Sequence, residues 1–358
     1  MKIINEEQLD FDDVMLRPGN SELDSRKDVN IHVTLPALHC KYTLNGFPLL
    51  NANMGPFSFE FVKAMLKEDC FGVLHKWEDP KEVEEFLFNI FKMDLKYKTH
   101  LLDRLFFTAG TRKQDLTNIN TAVKNAQKKG VKLRTINIRL DSPNGHNTQF
   151  IDALKRIRDF YGDTTYIVAG NVVTAEKTKE ILENGADLVS IGIGSGNQCS
   201  TRVQAASGRP QFSAIVDCAQ AAREMKAGIV SDGGIKTPGD AAKAFGAGAH
   251  AVMVGSMLGG ADETIEPVIE TLRSKAKKFY GSASKTAHDN FYGESDMSYK
   301  TFEGITSYLP YSGPVKNTID SIKGGIRSAG TFIGAKDLYE FYDKAVFYKV
   351  RHQISRIK

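Results

Sequence analysis

Eight short apolar segments recur along the chain, separated by amphipathic stretches and glycine turns, and this repeat most limits what it can fold into. They are Pro48–Asn53, Phe71–Lys76, Leu105–Gly110, Leu133–Leu140, Tyr166–Val172, Leu188–Gly194, Gly228–Gly234 and Ala251–Ser256. Between them run helical patterns such as PKEVEEFLFNIF, TAEKTKEILENGA and FSAIVDCAQAAREMK. In the last, Ile215, Cys218, Ala222 and Met225 fall on one face. Near-continuous apolar strands are those of parallel sheets covered on both faces. Eight of them alternating with helices predict an α/β fold of the (β/α)8 TIM-barrel type. The rival, an open doubly wound sheet, normally carries a glycine fingerprint after its first strand, and none stands there. Weak internal similarity between ENGADLVSIG and GAGAHAVMVG, each a helix end, a glycine turn and a strand, fits the repeat.

The whole chain, 1–358, reads as one barrel domain with an N-terminal extension over 1–45. After the eighth strand, residues 278–314 turn polar, aromatic and rich in Gly, Ser and Tyr. A segment this long without a strand–helix pattern predicts a mobile flap. The net charge of +4 is too small for a nucleic-acid partner and suits an anionic small substrate. Four cysteines at neither zinc nor disulfide spacing, no apolar leader in MKIINEEQLDF and no membrane-length apolar run predict a cytoplasmic protein without a membrane partner.

Barrel enzymes carry their sites at the C-terminal ends of the strands. Those ends hold Asn51-Ala-Asn53, His75-Lys76, Asp141, Gly170-Asn171, the Cys199 loop, Asp232-Gly-Gly234 and Gly255-Ser256. Taken singly, Asn53 and Asn171 read as strand-end caps and His75 as a local hydrogen-bonding residue. SDGG and VGSMLGG together are more specific. Their amides and hydroxyl occupy the usual phosphate position of a barrel, and Asp232 can accept from a ribose diol. The plain alternative is that these glycines only permit tight turns. Cys199 sits in SIGIGSGNQCSTRVQAASGRP, near a helix start and Arg202, where a thiol ionises readily and can act as a nucleophile. Cys40, Cys70 and Cys218 read as small core hydrophobes. Carbonyls of the loop glycines could also face a monovalent cation.

At these residues the chain resembles the IMP dehydrogenase/GMP reductase family. The resemblance runs from LDFDDVMLRP through NANM, HK, GNVVT, GIGSGNQCSTR, SDGGIKTPGDAAKAFGAGAHAVMVGSMLGG and FYGSAS to GGIRSAGTFIGA. It implies a (β/α)8 barrel in which Cys199 attacks C2 of a purine nucleotide to form a thioimidate. It implies ribose contacts from Asp232 and phosphate contacts from Gly234, Gly255, Ser256 and Tyr280, with Gly233, Gly281, Ser282, Lys300 and Gly304 also on the substrate. It implies a potassium site at Gly194, Gly196 and Cys199, with Arg202 beside it, and a homotetramer. It places Ser25, Arg26, Lys76, Asp141, Tyr299 and Ser328 at a nicotinamide cofactor, Arg26 favouring the 2′-phosphate of NADPH.

Two activities share this machinery, and three features point to the reductase. The run from Lys76 to Leu105 is too short for the regulatory modules most dehydrogenases insert there. No arginine lies between Arg273 and Arg327, so the flap base that activates water in the dehydrogenase is missing. Thr201 and Glu303 match the reductase pair that handles the proton of the departing amine. Some positions depart from the reductase pattern. Asn197 stands where the family usually has a phosphate-holding serine, VGS replaces VGG at Ser256, and YKTFEG replaces YRASEG, so Lys300 stands for an arginine. The expectation is an NADPH-dependent GMP reductase, the alternatives a compact IMP dehydrogenase and a non-catalytic purine-nucleotide-binding barrel.

Overall fold

A computed structural model describes residues 1, 3–97, 100–270, 274–293 and 301–350. Its centre is a parallel sheet of eight strands: β1 (Leu49–Asn51), β2 (Gly72–Leu74), β3 (Leu105–Ala109), β4 (Asn137–Asp141), β5 (Ile167–Val172), β6 (Leu188–Ile191), β7 (Gly228–Asp232) and β8 (Ala251–Val254). Consecutive strands pair from β2 to β8, and β8 pairs with β1, Leu49 opposite Val252. The seam between β1 and β2 is closed by a parallel bridge from Leu50 to Phe71 and by the Asn51 side chain. Asn51 Nδ2 donates to the Val73 carbonyl (2.9 Å), and Asn51 Oδ1 accepts from the Val73 N–H (2.8 Å). The amide thus supplies a rung that the backbone lacks there. The barrel is the predicted one.

Eight helices clothe it: α1 (Phe59–Lys67), α2 (Pro80–Tyr97), α3 (Lys113–Lys128), α4 (Thr148–Tyr161), α5 (Ala175–Glu183), α6 (Gln211–Glu224), α7 (Pro238–Gly246) and α8 (Val315–Ile333). Local chemistry sets their starts. Ser58, Asn147 and Thr174 cap α1, α4 and α5 through their side-chain oxygens. Thr237 and Asp240 form a capping box on α7, with Pro238 in the first turn. Their apolar faces join one core with the strands; α1 buries Phe61, Val62, Met65 and Leu66, each stabilising by about 1.5–3 kcal/mol.

The segment before the barrel packs against it. Val14–Leu16 pairs with Phe347–Lys349, and Val33–Leu35 with Leu44–Gly46. The flap has an ordered base, an antiparallel sheet of β9 (Val268–Glu270), β10 (Lys275–Tyr280) and β11 (Thr306–Pro310). The buried Lys277 ammonium anchors it, donating to the carbonyls of Ala261, Asp262 and Thr264. Among the described residues no helix is long and apolar enough to cross a membrane.

Candidate active site

The loops after β6, β7 and β8 converge at the C-terminal end of the barrel and, with the flap, line one cleft. Gly233 (φ +97°) and Gly234 (φ +80°) turn the chain through left-handed backbone after β7. A Cβ on Gly233 would stand 2.6 Å from Ser195 Oγ and 3.0 Å from the Gly196 nitrogen, so this turn presses directly on the cysteine loop. Ser195 Oγ donates to the Asp232 carbonyl (3.3 Å). Gly255 and Ser256 follow β8, and Ser256 Oγ accepts from Asn197 Nδ2 (2.8 Å).

Cys199 lies at the meeting of this loop and the flap. Its N–H donates to the Gly196 carbonyl (3.0 Å), and it bridges to Gly304 in antiparallel fashion. The Ser200 N–H donates to the Glu303 carbonyl (2.7 Å), and the Ile305 N–H to the Gln198 carbonyl (2.9 Å). The returning limb of the flap is therefore stitched along the cysteine loop. The side chains continue the connection: Cys199 Sγ donates to Thr201 Oγ1 (3.1 Å), which donates to Glu303 Oε2 (2.7 Å). A thiol, a hydroxyl and a carboxylate in series form a path for a proton. Cys40, Cys70 and Cys218 are buried, and Cys199 is partly exposed. The arginine that sequence reasoning set beside the thiol is occupied elsewhere. Arg202 pairs with Asp10 (2.8 Å) and donates to the Arg209 carbonyl (2.7 Å).

Asp232, at the end of β7, faces the same cleft. Its Oδ2 accepts from Arg139 Nη2 (3.1 Å) and Asn171 Nδ2 (2.9 Å). Burial pushes its carboxyl above the usual range, opposed by the Arg139 guanidinium and the Asn171 amide. Arg139 is fully buried, within 3.3 Å of Asp141 and bonded to Asn171 Oδ1 (2.6 Å). Sequence reasoning missed Arg139 and left Asn171 a strand-end cap. The signal was an arginine inside the apolar run LRTINIRL, where a charge survives only if paired.

Gly196, Gly233, Gly234, Gly255, Ser256, Gly281, Ser282, Gly304 and the Cys199–Thr201–Glu303 set all line the cleft. Lys76 and Asp141 line a polar side cleft with Thr111, Arg112 and Tyr292, and Pro143 borders both clefts. Tyr280 is buried behind the wall, its hydroxyl accepting from Asn290 Nδ2 (3.2 Å). Ser25 caps a short turn, Arg26–Asp28, that packs on α8, which carries Ser328. These three residues line neither cleft of this chain. Tyr299 and Lys300 lie outside the described residues. His75 makes a local pair with Glu78 (3.2 Å), and burial holds its imidazole down at about 4 and lifts the Glu78 carboxyl to about 8.

Comparison with known proteins agrees with this geometry. The family model for the IMP dehydrogenase / GMP reductase domain matches residues 8–356. The chain is 38% identical to GMP reductase of Caenorhabditis elegans, covering 98% of this chain and 94% of the relative. It is 37% identical to human GMP reductase 2, over 99% of this chain and 98% of the relative. Human GMP reductase 1 is likewise 37% identical, over 97% and 96%. A match over nearly the whole length, with the barrel and the cysteine loop in place, means that the chain belongs to the IMP dehydrogenase/GMP reductase family.

Proposed function

We propose that the protein catalyses reductive deamination of GMP to IMP and ammonia, with NADPH as reductant. The observation that carries this reading is the unbroken hydrogen-bond series from Cys199 through Thr201 to Glu303, on the wall of a cleft with glycine turns at the phosphate position of a barrel. Full-length relatives that are GMP reductases support it.

In this reading Gly234, Gly255 and Ser256 hold the 5′-phosphate and Asp232 accepts from the ribose diol. Cys199 passes its proton through Thr201 to Glu303 and bonds to purine C2. Glu303 returns the proton through Thr201 to the C2 amine, the carbon–nitrogen bond breaks, and ammonia leaves a thioimidate on Cys199. NADPH, when bound, supplies a hydride to C2. The carbon–sulfur bond then breaks, and the Cys199 sulfur recovers a proton from solvent as IMP is released. GMP, NADPH and one proton give IMP, NADP and ammonia. The flap excludes the water that would hydrolyse the thioimidate, and its missing arginine leaves no strong base to activate one.

The side cleft, which meets the main cleft at Pro143, is where the cofactor is placed in this reading: Lys76 and Arg112 offer cationic contacts for phosphates, and Asp115 and Asp141 offer acceptors for hydroxyls. Ser25, Arg26 and Ser328 stand away from it, so a role for them at the cofactor needs a cleft shared with a second copy of the chain. A homotetramer in the cytoplasm, with 1–358 as one barrel domain, belongs to the same reading. So does a potassium ion on the carbonyls of Gly194, Gly196 and Cys199. The donor set is hard oxygen, and the Gly196 carbonyl keeps a lone pair beyond the one given to Cys199. The test is Cys199→Ala, which should bind GMP yet release no ammonia; turnover by this variant would end the reading.

A further inference from the structure

The two positions at which the phosphate turns depart from the family pattern, Asn197 and Ser256, meet in space. Asn197 Nδ2 donates to Ser256 Oγ at 2.8 Å, and both residues line the cleft. They belong to loops that leave β6 and β8, strands kept apart in the sheet by β7. Asn197 lies two residues before Cys199, and the two residues between Asn197 and the flap contacts, Gln198 and Cys199, carry the backbone bonds to Ile305 and Gly304. A pull on Asn197 is therefore a pull on the nucleophile.

The bond also sets the direction of the serine. A hydroxyl offers one proton and two lone pairs, and an amide NH2 offers two protons. With Ser256 Oγ accepting from Asn197, the serine proton is left to donate to a further acceptor, and so is the second amide proton of Asn197. The pair presents donors and no negative charge to the phosphate position.

We propose that Asn197 and Ser256 act as one positioning unit that carries occupancy of the phosphate position to Cys199. A bound phosphate takes the donors of the pair, tightens the bond between the two loops, and so sets the register of Cys199 against purine C2. Neither residue touches the reacting atoms. The proposal rests on the phosphate assignment made above, and it adds that this assignment is linked to the nucleophile through two hydrogen-bonded side chains.

The experiment measures alkylation of Cys199 by iodoacetamide in the full-length protein, with and without ribose 5-phosphate, followed by steady-state kinetics with GMP. Ribose 5-phosphate reaches the phosphate position without covering the base position. In the unmodified protein it should change the Cys199 labelling rate at least threefold, and ribose should not. Asn197→Ala and Ser256→Ala should each abolish that response. Each should lower kcat for GMP about tenfold or more, and the double variant should be no worse than either single one, because the two act as a unit. Melting temperatures within a degree or two of the parent would set misfolding aside, as expected for an exposed asparagine. Singles that retain the response, or losses that add in the double variant, would overturn the coupling while leaving the phosphate site in place. A parent protein that ignores ribose 5-phosphate, and that binds guanosine as tightly as GMP, would overturn the phosphate assignment and the coupling with it.

Discussion

Replacing Arg139 by methionine keeps a long apolar stem in the barrel and removes the guanidinium that faces Asp232. Arg139 is fully buried, and its Nη2 lies 3.1 Å from Asp232 Oδ2 and 2.6 Å from Asn171 Oδ1. Breaking a buried pair from one side leaves an uncompensated charge and costs about 3–5 kcal/mol. For a chain of this length the unfolding entropy is about 0.75 kcal/mol per degree, so the melting temperature should fall by about 4–7 °C. The loss should depend on pH. Burial raises the Asp232 carboxyl above its ordinary 3.8 and Arg139 opposes that rise, so Arg139→Met lifts it further. A carboxyl whose folded value exceeds its unfolded value holds its proton more tightly in the fold. Its contribution is greatest below the unfolded value and is lost as pH rises toward the folded one. The deficit of Arg139→Met should therefore be smaller near about pH 4, close to the unfolded value, than near about pH 7.5. Thermal denaturation at both values is the assay, with Arg139→Met/Asp232→Asn recovering part of the loss at the higher pH. A deficit below about 1 kcal/mol, or one equal at both pH values, would refute the reasoning.

Two further outcomes follow from the site. Iodoacetamide should label Cys199 well before the other cysteines, because burial raises the Cys40 thiol and pushes Cys70 and Cys218 up to about 12; GMP should protect Cys199, and mass spectrometry of peptides reads both. Glu303→Gln keeps the shape of the side chain and removes the proton acceptor of Thr201, so ammonia release should fall about 10²–10⁴-fold with the Kd for GMP nearly unchanged; a large loss of GMP affinity with kcat preserved would show that Glu303 binds and does not move protons.

The barrel was legible because its strands are buried on both faces and write continuous apolar runs. Their ends were less so. The run Leu133–Leu140 becomes a strand only from Asn137, since Arg134 turns out to pair with Asp103 and Thr135 Oγ1 donates to the Thr164 carbonyl, which bends the chain first. The base of the flap read as a loop. Lys275–Tyr280 pairs with Thr306–Pro310 across a long excursion, and nothing local announces a pairing fixed by packing at such separation. The site shows the same division. Glycines after β7 and β8 declare their turns locally, whereas Thr201 and Glu303 are 102 residues apart and were joined beforehand only by the family resemblance. Arg139 was overlooked because two of its partners, Asn171 and Asp232, come from the ends of other strands that are distant in sequence.

The most direct test of the account follows the reduced nicotinamide by absorbance in two parallel reactions, with ammonia measured in each. GMP with NADPH should yield one IMP and one ammonia for each NADPH oxidised, and IMP with NAD should yield little or no XMP. Rapid reduction of NAD by IMP, giving XMP and no ammonia, would contradict it and make the protein a dehydrogenase.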